Sequence, residues 1–368
     1  MATSTSPASA APNAAPNAAP NAVPNAATSA ALAALLLAAF VLPSLAEDTV
    51  ELAATGGSSG KQTVSGRIVD YTRQEIVVET AGGRQLRLPG DRVRRVQTQT
   101  TQEENDGDRA FAKADFAGAI ERYRAAQARE TRPWVQQRIA SQIVRCRQSL
   151  GQIREAGDDF AALVGRFPQT PWFDCIPLSW IAVEPAPALE QAAQGWIAEK
   201  ESPAVVLMGA SHLLSTRHRA TAISALKSLA LGEDPWVASL AVAQSWRAQG
   251  VTATAEQIEA WSATIEKMPE RLRPGPLYTQ GSAWARQRQW ERSSLAMLHV
   301  ALLHPEHRLL AAYSLLSAGQ SLEQLGRPEQ AARLYRELLD TYAETAPVRE
   351  ARQRLEELSA TDTPAAKR

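Results

Sequence analysis

Between residues 48 and 97 the apolar side chains recur at every second position, and after Gln102 they recur with the period of a helix through to the C-terminus. The switch divides the chain. Residues 49–54, 64–71, 75–80, 84–88 and 92–98 alternate or cluster β-branched side chains, with Gly/Ser-rich residues 56–60, Gly82-Gly83 and Pro89-Gly90 between them. Five short strands so close together predict a small closed β barrel. A barrel of that size buries little by itself and is expected to pack against the first helices.

The helical part repeats itself. Counting from Gly107, Phe116, Ala119, Tyr123 and Ala126 stand at offsets of 9, 12, 16 and 19. From Gly281 the same offsets give Trp290, Ser293, Met297 and Val300, with Pro305 at 24. From Gly319 they give Pro328, Ala331, Tyr335 and Leu338, with Gly326 at offset 7. Val144 starts a fourth frame, with Gly151 at 7, then Ile153, Ala156, Phe160 and Leu163, and Pro168 at 24. A fainter fifth frame runs from Ala210 through Ala222, Leu226 and Leu229. Small residues at such places let two helices cross closely, and the aromatics wedge between successive hairpins.

On these offsets the helical part resembles the tetratricopeptide repeat family, an α-solenoid of helical hairpins, with Gly319 to Leu338 as the most specific stretch. The resemblance implies an extended surface that binds other proteins or peptides. Spacings of 37 and 38 residues between frames replace the family's period of about 34, so no regular concave groove is expected and no peptide-clamping residue is carried over. In the β part, the strand Gly66-Arg67-Ile68-Val69-Asp70-Tyr71 and the hairpin at Gly82-Gly83 resemble SH3-like or Sm-like barrels, by pattern alone.

Residues 1–46 hold no charged side chain. Residues 11–26 repeat Ala-Pro-Asn-Ala with one replacement at Val23, and proline at every fourth position forbids a regular helix, so this tract is expected to be disordered. Residues 30–42 are an apolar run followed by Pro43, Ser44, Leu45, Ala46 and the acidic Glu47 and Asp48, the pattern of an export signal cleaved after Ala46. A membrane anchor is the alternative, although a span needs roughly 20 apolar residues. The missing Lys or Arg ahead of the run departs from the usual signal.

The resulting organisation is 1–46 signal and low-complexity tract, 47–101 β domain, 102–171 first hairpins, 172–273 connector and degenerate hairpins, 274–360 last hairpins, and 361–368 a disordered tail. About six or seven hairpins are expected. Trp172, Phe173, Ile176, Trp180 and Ile181 sit in a Pro- and Trp-rich connector, and they read either as a seam between subdomains or as a patch for a partner.

Candidate chemistry adds little. The 368 residues are 45% hydrophobic and 21% charged, enough for a sizeable core, and 39 basic side chains cancel 39 acidic ones. A nucleic-acid role is therefore not expected, with Arg92, Arg94 and Arg95 a local basic cluster. Gly56-Gly57-Ser58-Ser59-Gly60 matches a nucleophile elbow only formally, since Ser58 leads into a strand, and Lys61 lacks the spacing of a phosphate loop. His212 and His218, and His299, His304 and His307, lack the helical spacing of a metal pair. Cys146 and Cys175 read as buried thiols or as a clip between connector and helix. The expectation is a non-enzymatic scaffold of the cell envelope without cofactor or metal, touching a membrane only through an uncleaved N-terminus. An accessory subunit of an export, assembly or cell-wall complex is the alternative, and a secreted enzyme the third.

Overall fold

The computed structural model describes residues 47–53, 62–250 and 252–361. The export signal, the loop that carries Ser58 and Lys61, and the tail after Thr361 lie outside the described residues.

The five strands are β1 (Asp48–Leu52), β2 (Gln62–Tyr71), β3 (Glu75–Glu79), β4 (Gln85–Pro89) and β5 (Val93–Gln97). They pair antiparallel in the order β4-β3-β2-β1-β5. The expected barrel is not closed: β4 and β5 each pair with one neighbour. The reason lies in what covers the inner face. Val50, Ile68, Ile76 and Val78 share one buried cluster with Phe116, Trp134, Val135 and Ile139 from the helices, so helices provide the burial that closure would otherwise give. Trp134 is fully buried and donates its indole N–H to the Ile68 carbonyl at 3.2 Å. The two open edges carry Arg87 on β4 and Arg94 and Arg95 on β5, charges that discourage edge pairing between molecules.

Fourteen α-helices follow among the described residues. They are α1 (Gln102–Ala112), α2 (Phe116–Arg129), α3 (Pro133–Ser149), α4 (Ile153–Arg166), α5 (Pro187–Ala198), α6 (Pro203–Leu213) and α7 (Arg219–Leu229). Then come α8 (Pro235–Gln249), α9 (Ala255–Lys267), α10 (Pro274–Arg286), α11 (Trp290–Leu303), α12 (Arg308–Gln324), α13 (Pro328–Thr341) and α14 (Val348–Thr361). Local chemistry sets their starts. Thr101 caps α1, Asp234 caps α8, and Thr254 with Gln257 closes a capping box on α9. Proline occupies the first turn of α3, α5, α6, α8, α10 and α13, where its missing N–H costs nothing.

The four main frames are the hairpins α1/α2, α3/α4, α10/α11 and α12/α13. In each, the residue seven positions after the anchor adopts positive φ: Ala114 at 59°, Gly151 at 71°, Arg288 at 58° and Gly326 at 69°. One left-handed residue thus turns every one of these hairpins, and glycine fills the position in only two of them. The packing repeats as well. Gly107 faces the ring of Tyr123, Gly281 faces Met297 and Gly319 faces the ring of Tyr335. A Cβ on Gly107 would stand 2.7 Å from the Tyr123 ring, closer than packed atoms come. Tyr123 donates its hydroxyl to Asp108 at 2.6 Å, and Tyr335 donates to Glu323. Both phenols are thereby locked and pushed above their usual pKa by burial and by those carboxylates.

Arg73, in the turn between β2 and β3, ties the sheet to the middle of the helical array. Its side chain is only 6% exposed, paired with Asp234 at 2.9 Å and set against the rings of Phe173 and Trp236, at 5.0 and 5.1 Å from their centroids. Its backbone N–H donates to the Gln169 carbonyl at 2.8 Å.

Candidate functional site

Residues 167–186 connect α4 to α5, with a short 3-10 turn at Phe173–Cys175. Several polar side chains on the facing helices are aimed at this connector. Gln148 of α3 donates to the Cys175 carbonyl at 2.7 Å, and His212 of α6 donates Nε2–H to the Pro177 carbonyl at 2.8 Å. The Ser179 N–H donates to Ser211 Oγ of α6 at 3.0 Å, and Gln244 of α8 donates to the Ser179 carbonyl at 3.1 Å. Arg247 of α8 reaches the Ile181 carbonyl at 3.3 Å. Cys175, at the end of the 3-10 turn, and then residues 177, 179 and 181 are thus held by their main chain, the last three with the two-residue period of an extended segment.

Burial explains why these partners are fixed. Ser211 and Gln244 are fully buried, and a buried polar group without a partner is costly. Burial also holds His212 neutral, with its pKa lowered to about 4, and lowers Arg247 to about 10.

A cavity of about 330 Å³ lies alongside the connector. Leu178 and Trp180 line it together with Ile153, Leu189, Leu309 and Tyr313, so residues from α4 and from α12 share one groove. Its polar end is built from Arg145 of α3, Asp174, Arg271, Glu306 and His307. Arg145 and Asp174 form an ion pair at 2.5 Å with Asp174 only 8% exposed. Burial pushes the Asp174 carboxyl up, but Arg145, Arg271 and His307 outweigh it and hold the group below its usual range. His307 is lowered to about 4 by burial and by the charge of Arg145. Asp174 Oδ1 and His307 Nε2 are buried with no hydrogen-bond partner among the described residues.

The residues singled out from the sequence fall in two places. Gly107, Phe116, Ala119, Tyr123, Gly151, Ala156, Phe160, Gly281, Trp290, Gly319, Ala331 and Tyr335 lie in the hairpins, at helix contacts or at hairpin turns and starts. Phe173 is buried edge-on to Phe160 and Trp236, at centroid distances of 5.8 and 5.9 Å. Trp172 is half-buried and meets Tyr71 edge-on at 5.3 Å, while Trp180 is half-buried with its indole against Gly275. Cys146 and Cys175 are buried free thiols, and burial pushes Cys146 up to about 12 and Cys175 higher still. Arg94 pairs with Glu270 at 2.8 Å, and Arg92 donates to the Ala53 carbonyl at 2.9 Å. His218 stands 3.4 Å from Glu190, and the rings of His299 and His304 stack at 6.2 Å. Among the described residues no three His, Cys, Asp or Glu side chains converge as a metal site, and no helix is long and apolar enough to cross a membrane.

Sequence reasoning missed Gln148, Ser211, Gln244, Arg247 and the Arg145–Asp174 pair. One signal was present: α6 is apolar nearly all round, so Ser211 and His212 inside it had to find partners.

No protein-family model matches the chain, and no curated protein matches it. Among solved structures the chain is similar to the TPR2AB domain of yeast Sti1 in a pHSP90 complex, at 11% identity and a TM-score of 0.23, over 70% of this chain and 97% of that one. No residue and no activity is carried from it to this chain.

Proposed function

We propose that this chain is a non-catalytic scaffold that holds other proteins in the groove beside its connector, and that it does so in the cell envelope. The observation that carries the reading is the open groove of about 330 Å³ beside the connector, whose own main chain is held in place by Gln148, Ser211, His212, Gln244 and Arg247. Apolar walls with a few polar groups suit a binding site. Cys175, the thiol that lines the groove, is raised by burial, which makes it a poor nucleophile and favours binding over chemistry. Placement in the envelope rests on the apolar run 30–42 and the small residues before Glu47.

The test is affinity capture from the native host with a C-terminally tagged chain, comparing the wild type with Val183→Arg and Leu309→Arg. Both positions are on the groove and exposed, at 59% and 39%, so the variants are expected to keep the wild-type melting temperature. The expected outcome is a stoichiometric envelope protein with the wild type, reduced at least tenfold with either variant, and a bait that starts at Glu47. Partners retained by both variants would reject the groove as the binding site. A bait that still carries residues 1–46 would reject cleavage.

A further inference from the structure

In an extended segment, the N–H and C=O of one residue point to one side and those of the next residue to the other. The odd-numbered residues of the connector turn theirs to the helices, through the carbonyls of Cys175, Pro177, Ser179 and Ile181 and the N–H of Ser179. The alternate residues Leu178 and Trp180 therefore present their main chain to the opposite side. Both line the groove. Among the described residues the Leu178 carbonyl and the Trp180 N–H and carbonyl have no hydrogen-bond partner, whereas the Leu178 N–H is turned back onto the Ile176 carbonyl at 2.9 Å. Over residues 177–181 the connector thus has one side of its main chain held by helices, while the Leu178 carbonyl and the Trp180 N–H and carbonyl stay unpaired beside the cavity.

We infer that an extended segment of a partner protein adds to this open edge as a strand, pairing its main chain with Leu178 and Trp180 across the groove. The inference rests on the scaffold reading above and specifies how the partner is held. The segment carries apolar side chains at alternate positions. Its apolar face meets Ile153, Leu189, Leu309 and Tyr313. A strand edge supplies affinity through main-chain hydrogen bonds, and alternate side-chain pockets supply selectivity.

The probe is a seven-residue peptide of alternating threonine and valine, acetylated and amidated at its ends, together with two versions N-methylated on the threonines only or on the valines only. Each methylated version removes the donors from one edge of the extended peptide and leaves the protein unchanged. Binding and amide exchange are followed by NMR on the mature chain. The expected result is that the parent peptide slows exchange of the Trp180 amide at least tenfold. One methylated version should bind like the parent and the other at least tenfold more weakly. Equal binding of both versions, or binding that leaves Trp180 exchange unchanged, would overturn strand addition while partner capture through the groove still stood. Absence of binding up to about 1 mM peptide, an affinity weaker than about 4 kcal/mol, would overturn it as well. Loss of partner capture itself is read separately, from the Val183→Arg and Leu309→Arg comparison.

Discussion

Single residues in the hairpin turns make the sharpest predictions. Ala114 and Arg288 occupy left-handed backbone where Gly151 and Gly326 stand in the sister hairpins. Ala114→Gly and Arg288→Gly relieve that strain, less the added freedom of the unfolded chain, and should each stabilise by up to about 1 kcal/mol in urea denaturation. Gly151→Ala and Gly326→Ala should destabilise by about 1 kcal/mol or more, and an opposite sign in either pair would contradict the shared turn geometry. At the helix crossings, Gly107→Ala and Gly319→Ala force a methyl into the rings of Tyr123 and Tyr335 and should cost about 1–3 kcal/mol.

His212 makes stability depend on pH. Its folded pKa of about 4 lies below the unfolded value of about 6.5, so the unfolded chain takes up the proton first. The contribution of the neutral imidazole is whole above pH 6.5 and is lost as pH falls from 6.5 through 4. It amounts to up to about 3 kcal/mol, with a like contribution in the same window from His307. The urea midpoint should therefore drop steeply over that range. His212→Gln, which keeps a donor for the Pro177 carbonyl, should flatten the drop, and an unchanged profile would contradict the assignment.

At the scale of elements, the hairpins are legible in the sequence because offsets of 7, 9, 12 and 16 are local, set by one turn and one crossing. Strand alternation is legible for the same reason. Closure of the sheet is not, since alternation tells which face is buried and not what buries it; here Trp134 and its neighbours on α3 cover the face and leave β4 and β5 apart. Arg73 shows the same limit. It sits in an ordinary turn, yet contacts Asp234 and Trp236 from a distant helix. Arg73→Ala should cost about 2–3 kcal/mol, because it removes a desolvated ion pair and a ring contact together. Native-state amide exchange should then show the sheet loosening ahead of the helices. A loss below about 0.5 kcal/mol would place Arg73 among ordinary surface residues.

At the scale of the whole molecule, the groove gathers residues from α3, α4, the connector, α5, α6, α8, α10 and α12, which no period in the sequence links. The connector's aromatics were visible, but the polar residues that hold its main chain were spread over residues 148–247 and looked like interruptions of apolar helices. The scaffold reading depends on that groove being where a partner lies. Photo-crosslinking in the native host tests it most directly, with a benzophenone side chain placed at Val183, at Leu309 and, as a control, at Leu231, which is 90% exposed in the loop after α7. One shared crosslinked partner is expected from Val183 and Leu309 and none from Leu231; equal crosslinking from Leu231, or none from the groove positions, would show that partners do not lie in the groove.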